Sequence, residues 1–333
     1  MLSGNLPNSY LLHHRIGDHR PSRFKLLLAF VILALVVAVL WPRHSASKPS
    51  DKDALAAIEL PNLPTVLAPL PQLSAKPSKI NLQAKAAILI DGATGTILFN
   101  QNGEQAVPIA STTKLMTAIL TRENLDLDKV VTISQEATSI IGSDMSLRTG
   151  EVITVRDLLA GLLITSGNDA AHSLAETVSP TVAEFVAKMN VMAGKLGMKD
   201  TRYADPAGLD DTGRSTARDL AIVARQALKD NVLVEIMRTK EISITSTDGL
   251  VRHDLVNSNR LVGEYDYPGA IGLKTGFTPE AGHCLVAGAE REGHQLIAVI
   301  LHTDANTVTA SAIEARKLLD WGWVNVSWSQ PIN

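Results

Sequence analysis

The sequence predicts an α+β domain over residues 80–325. Strand-like runs open and close this region, and helical periodicity fills the middle. The strand-like runs are also joined by short turn segments, which favours antiparallel pairing over a parallel sheet with helical crossovers. The chain has 333 residues, of which 45% are hydrophobic and 20% charged. That balance is globular and rules out wholesale disorder.

Ala86–Ile90 and Thr96–Asn100 flank Asp91-Gly92-Ala93-Thr94-Gly95, a hairpin signature. Helical spacing follows after Ser111 and over Val155–Thr165, Asp169–Val178, Val182–Leu196 and Thr216–Leu228. Thr216 with Asp219 reads as a capping box. Ala270–Thr278, His283–Ala289 and Gln295–His302 are strand-like, separated by Pro279–Gly282 and Arg291–Gly293, and Val308–Trp323 is a final amphipathic helix. There is no internal repeat.

Outside that domain the chain changes character. Residues 1–25 carry Arg15, Arg20, Arg23 and Lys25 against Asp18, and 26–41 are free of charge. A helix of that length covers roughly 24 Å, just short of a bilayer core, and Phe24 can extend it. The basic side faces the cytoplasm by the positive-inside rule, and Trp41 sits where an interfacial aromatic belongs. Ser45 and Ser47 make a poor cleavage site, so 26–41 reads as an uncleaved signal-anchor rather than a removed leader. Residues 42–79 hold Pro42, Pro49, Pro61, Pro64, Pro69, Pro71 and Pro77 and read as a tether, with packing of part of it on the domain as the alternative. The expected organisation is a cytoplasmic tail at 1–25, an anchor at 26–41, a tether at 42–79, a folded domain at 80–325 and a tail at 326–333. The folded domain then lies outside the cytoplasm.

Net charge is −3, with no basic surplus of the kind nucleic acid requires. The single cysteine, Cys284, excludes an internal disulfide, a cysteine zinc site and an iron–sulfur cluster. His172, His253, His283, His294 and His302 show no metal-ligand spacing, and no phosphate or dinucleotide loop occurs. No metal or cofactor is expected. Trp321, Trp323 and Trp328 are expected to pack on the domain rather than in a membrane.

Three short motifs carry the chemistry. Ser111-Thr112-Thr113-Lys114 opens an apolar run. If a helix begins near Ser111, residues i and i+3 share a face and the lysine amine can reach the serine hydroxyl. A free lysine has a pKa of about 10.4 and is no base, but burial or a second cation can bring it to about 7–8. Taken alone, the motif is also an N-cap serine followed by a solvated lysine. Ser166-Gly167-Asn168 follows a helical run and alone is a turn. Lys274-Thr275-Gly276 lies within a strand-like run and alone is an edge lysine beside a glycine bulge.

In that order, S-x-x-K, S-x-N and K-T-G form the signature set of penicillin-binding proteins and class A β-lactamases. The surroundings extend the match: Pro108 to Thr117, Ser166 to Ala171, Ala207-Gly208-Leu209, Ser215 to Ala221 and Leu273 to Thr278. The chain closely resembles the serine-type D-alanyl-D-alanine carboxypeptidases, low-molecular-mass penicillin-binding proteins of peptidase family S11, over about 80–323.

The resemblance implies a β-lactamase/transpeptidase-like fold, an antiparallel sheet flanked by helices with the site at one sheet edge. It implies removal of the terminal D-alanine from peptidoglycan stem peptides through an acyl-enzyme on Ser111, in a bacterial cell membrane, with β-lactams as inhibitors. Lys114 would be the general base and Ser166 a proton relay. Asn168 would bind the substrate amide, and Lys274 and Thr275 the terminal carboxylate. The oxyanion hole would be the backbone N–H groups of Ser111 and Phe277. Many relatives carry a further β-rich domain and a C-terminal membrane helix, and an N-terminal anchor is expected to stand in for them. A class A β-lactamase would carry S-D-N and a later E-x-x-L-N glutamate; here Gly167 occupies the middle position and no such glutamate motif follows. A D,D-endopeptidase would use the same chemistry in a different groove. A catalytically dead wall-binding module is disfavoured by intact Ser111, Lys114, Ser166 and Lys274.

Overall fold

The computed structural model describes residues 69–304 and 306–329. The expected tail at 1–25 and anchor at 26–41 lie outside them, and among the described residues no helix is long and apolar enough to cross a membrane.

The framework is a five-stranded antiparallel sheet. In chain order the main strands of the molecule are β1 (Leu70–Leu73), β2 (Ala84–Asp91), β3 (Ile97–Gln101), β4 (Glu241–Thr245), β5 (Arg252–Val256), β6 (Ala270–Thr278), β7 (Gly282–Arg291), β8 (His294–Thr303) and β9 (Val326–Ser329). The sheet order is β6-β7-β8-β2-β3, so the N-terminal hairpin docks on the C-terminal three strands. Leu296 to Thr303 pair with Asp91 to Ala84. The main helices are α1 (Lys114–Asn124), α2 (Val155–Ala160), α3 (Asn168–Val178), α4 (Val182–Leu196), α5 (Ala217–Ala227), α6 (Asn231–Arg238) and α7 (Ala310–Asn325).

Successive strand side chains point to opposite sheet faces, and here both faces are covered. Ile88, Ile90, Val286, Ile297, Val299 and Leu301 join the core shared with α1 to α6. Ala87, Leu89, Leu285, Ala298 and Ile300 pack with Leu318, Leu319 and Trp321 of α7. This explains why the strands read as continuous apolar runs rather than alternating ones. Helix α1 is the pivot of the helical layer, buried from Lys114 through Thr121.

The elements begin close to where the sequence places them, with informative differences. Helix α1 starts at Lys114, not Ser111; Ala110–Thr113 form a tighter turn ahead of it, entered through Ala110 at φ 46°. Regular helix over 155–165 stops at Ala160, and the chain then widens so that the N–H groups of Ser166 and Gly167 both reach the Gly161 carbonyl. Helix α6 and the β4–β5 hairpin lie in a stretch to which no element was assigned. Leu70–Leu73, within the stretch expected to be a tether, form β1 and pair with β9, so strand structure extends on both sides of 80–325. Pro71 sits in this two-stranded ribbon opposite Trp328. A ribbon strand has an unpaired edge and tolerates a missing N–H. Trp321 donates to the Ser78 carbonyl at 2.7 Å, and Trp328 donates to Asp91 at 2.8 Å, so both tryptophans are used within the domain.

Thr216 caps α5 by accepting the Asp219 N–H at 3.0 Å. The Asp219 carboxylate does not close the box. It accepts the Asp200 N–H at 2.9 Å and the Thr201 hydroxyl at 2.7 Å, pinning the loop after α4. Asp219→Ala removes the acceptor of two part-buried donors, the Asp200 N–H and the Thr201 hydroxyl, so stability should fall by about 1–2 kcal/mol. A thermal melt should show the midpoint lowered by roughly 5 °C.

Candidate active site

The three motifs meet at the junction of the sheet edge and the helical layer. Lys114, fully buried in the first turn of α1, is the common point. Its Nζ donates to Ser111 Oγ at 2.8 Å, to Asn168 Oδ1 at 2.7 Å and to the Ala207 carbonyl at 2.9 Å. An ammonium has three hydrogens, and these three acceptors use them all. When the amine loses its proton, Asn168 and Ala207 can keep the two remaining hydrogens, and the lone pair then falls toward the serine hydroxyl. Burial drives the Lys114 pKa well below its ordinary value, and the nearby Lys274 cation lowers it further, against the opposing pull of Asp205 and Asp169.

Both of those carboxylates also order the surrounding loops. Asp205 accepts the N–H groups of Ala207 and Gly208 at 2.6 Å each, which presents the Ala207 carbonyl to Lys114. Asp169 accepts the N–H groups of Met145 at 3.0 Å and Leu147 at 3.1 Å. The loop thus held returns two carbonyls to Asn168: Ile141 O accepts its Nδ2 at 2.7 Å, and Ser143 O accepts its backbone N–H at 2.7 Å. Ser166, buried at the end of the widened turn, is left-handed at φ 68° and ψ 33°.

On the sheet side, β6 carries Lys274, Thr275, Gly276 and Phe277. A bulge between Ala270 and Gly272 precedes them, with Leu273 at φ 81°. Lys274 is fully buried and donates to Thr275 Oγ1 at 3.1 Å. Burial lowers its pKa to about 7. The Thr275 hydroxyl also lies 3.0 Å from Ser258 Oγ. Gly276 is where the strand meets Ser111: a Cβ there would lie 3.0 Å from the Ile109 carbonyl and 3.1 Å from the Ser111 nitrogen. The Phe277 ring is half-exposed and stacks on His283 at 4.3 Å between centroids.

Each motif therefore has a left-handed non-glycine residue beside or within it: Ala110, Ser166 and Leu273. Such conformations cost of order 1–3 kcal/mol each and persist only where the surroundings impose them. Lys114 joins Ser111 and Asn168 directly, Lys274 contacts Thr275, and Gly276 approaches Ser111; Ser166 is buried two residues before Asn168, and the Phe277 ring stacks on His283. Sequence reasoning missed Asp169 and Asp205, whose type and neighbours gave no chemical signal, and Ser258, which lies in a stretch with no assigned element.

The family description D-alanyl-D-alanine carboxypeptidase matches residues 72–305. The chain belongs to this family. It is 39% identical over 253 residues to the D-alanyl-D-alanine carboxypeptidase DacF of Bacillus subtilis (strain 168), covering 74% of this chain and 64% of that relative. The match thus spans a little under two thirds of the Bacillus protein. It is 35% identical over 262 residues to a D-alanyl-D-alanine endopeptidase of Pseudomonas aeruginosa, covering 78% of this chain and 84% of the relative. The Streptomyces K15 DD-transpeptidase has a similar solved structure, with a TM-score of 0.70 and 32% identity over 74% of this chain and 99% of that one. The antiparallel sheet flanked by helices is accordingly the penicillin-binding-protein and transpeptidase fold.

Within this family fold the contact at Gly276 is a sensitive one. Gly276→Ala requires the strand to withdraw from Ile109 and Ser111 by a few tenths of an ångström. Misplacement on this scale slows chemistry before it unfolds a domain. Covalent labelling of the variant by penicillin should be slower by about tenfold or more, with the melting midpoint little changed.

Proposed function

We propose that this chain is a serine-type D-Ala-D-Ala carboxypeptidase that trims the terminal D-alanine from peptidoglycan stem peptides. The observation that carries the reading is the buried Lys114 amine, 2.8 Å from Ser111 Oγ, with its other two hydrogens on Asn168 and Ala207. Lys114 takes the Ser111 proton as Oγ bonds to the penultimate D-alanine carbonyl. The C–N bond then breaks, and the departing amine of the terminal D-alanine receives a proton through Ser166. Water repeats the sequence on the ester and frees Ser111. Lys274 and Thr275 hold the terminal carboxylate, Asn168 the substrate amide, and the backbone N–H groups of Ser111 and Phe277 the oxyanion. The contact of Gly276 with the Ser111 nitrogen supports this pairing of strand and nucleophile.

Residues 26–41 would anchor the protein in a bacterial cell membrane with the catalytic domain outside. N-terminal sequencing of the mature protein should find the segment retained; a start near Lys48 would mean a removed leader.

Penicillin offers a carboxylate where Lys274 and Thr275 receive one, and its leaving group stays tethered after ring opening. It should therefore accumulate as an adduct on Ser111, seen as one added drug mass per chain by intact-protein mass spectrometry. Ser111→Ala should take no label, and Lys114→Arg should acylate more than about tenfold slower while remaining folded, because arginine keeps its proton. Rapid turnover of the drug with no trapped adduct would instead identify a β-lactamase.

The Pseudomonas relative named as an endopeptidase supports a second reading, cleavage of cross-links by the same residues. Incubating the full chain with a stem pentapeptide and with a cross-linked dimer, then weighing the products, separates the two. Loss of one alanine from the pentapeptide alone is the expected outcome.

The two amines set the pH dependence. Lys114 must lose its proton to act, so the rate rises with pH through its lowered pKa. Lys274 must keep its proton to hold a carboxylate, so the rate falls as pH passes about 7. A profile of kcat/KM should be bell-shaped with its alkaline limb near that value.

A further inference from the structure

Behind the site lies a buried pair that the proposed mechanism does not use. Glu151 Oε1 is 2.6 Å from His253 Nε2, and the two side chains are 0% and 1% exposed. The other ring nitrogen, Nδ1, is 2.8 Å from the Met145 carbonyl. A carbonyl only accepts, so Nδ1 carries a hydrogen in either charge state of the ring. Glu151 Oε2 in turn accepts the Arg148 N–H at 3.0 Å.

Both sides of this pair lead to the active site. Met145 belongs to the loop whose Ile141 and Ser143 carbonyls hold Asn168, the partner of Lys114. His253 belongs to β5, and the chain beyond it turns into Ser258. The Ser258 N–H donates to Ile164 at 2.8 Å, and its hydroxyl contacts Thr275 at 3.0 Å. One imidazole hydrogen bond therefore ties the loop behind Asn168 to the strand that reaches the K-T-G segment. A polar core pair that only filled space would not need to join these two halves of the site.

We propose that the Glu151–His253 pair is a positioning element for acylation, fixing the Lys114 amine by holding the loop of Met145 against Asn168. Glu151 orients the ring, and His253 acts on the loop through the Met145 carbonyl. This rests on the reading of Ser111 as the nucleophile.

Two substitutions separate the ring's two contacts. An asparagine amide nitrogen falls near the place of Nδ1 and keeps the donor to Met145; a glutamine nitrogen falls near Nε2 and keeps only Glu151. In the full chain, His253→Gln should lower both the penicillin acylation rate and kcat on a pentapeptide by about tenfold or more. His253→Asn should recover most of that loss, to within about threefold of wild type, although both variants melt earlier. Wild-type rates in both folded variants would reduce the pair to a purely structural role and overturn the proposal. Equal slowing in both would overturn the route through Met145. The wild-type protein supplies a test that needs no substitution: with ¹⁵N-labelled histidine, acylation of Ser111 should shift the His253 ring resonances, and unmoved resonances would overturn the coupling. If wild-type protein takes no penicillin on Ser111, the nucleophile assignment itself fails, which is distinct from any of these results.

Discussion

The removal of the Lys114 side chain from water is the constraint on which the rest of the site depends. An ammonium in an apolar interior is unfavourable unless each hydrogen finds an acceptor, and here Ser111, Asn168 and Ala207 supply them. The three acceptors come from the turn before α1, the first residue of α3 and the loop before α5. A single nitrogen thus requires three separate segments to converge. Lys274, also buried, adds a second positive charge that works against protonation of the first. Burying an amine in this way destabilises its charged form, and the fold has to offset that elsewhere.

Much of the offset is visible in carboxylates and strained backbone. Asp205 and Asp169 pull against the desolvation of Lys114 while accepting the N–H groups that shape the loops around it. Ala110, Ser166 and Leu273 adopt left-handed backbone at the approach to, or within, each motif. Such residues stay in place only when packing on all sides over-determines them. The packing comes from a sheet buried on both faces and from α1, which is buried along its first eight residues.

The sheet itself is assembled from chain ends. Strand β2 pairs with β8 across some two hundred residues of intervening chain, and β1 pairs with β9 to brace the same side of the domain. Trp321 and Trp328 lock this brace by hydrogen bonds to Ser78 and Asp91. Strand β6, which carries Lys274 and Thr275, is an edge strand of that sheet. Its placement beside Ser111 therefore depends on the correct pairing of the whole sheet.

The sequence by itself determined which residues could do chemistry. Ser111 and Lys114 are three apart, and an i, i+3 spacing brings them together in any helical or near-helical turn, so this contact was legible without a structure. The β2–β3 hairpin, α4, α5 and the three C-terminal strands were legible for the same reason: their periods and turn residues are local properties. What the tertiary structure alone decided is non-local. That β1 leaves the proline-rich stretch to form a ribbon depends on a partner more than two hundred residues away. That Asp219 pins the loop at Asp200 instead of closing its own capping box depends on where that loop passes. That Lys114 is held by Ala207, that Thr275 meets Ser258, and that His253 bridges Glu151 and Met145 depends on packing between segments whose sequences do not refer to one another. A side chain's spacing along its own chain fixes its local neighbours, but its burial, and hence the pKa of an amine such as Lys114, is set by everything that closes over it.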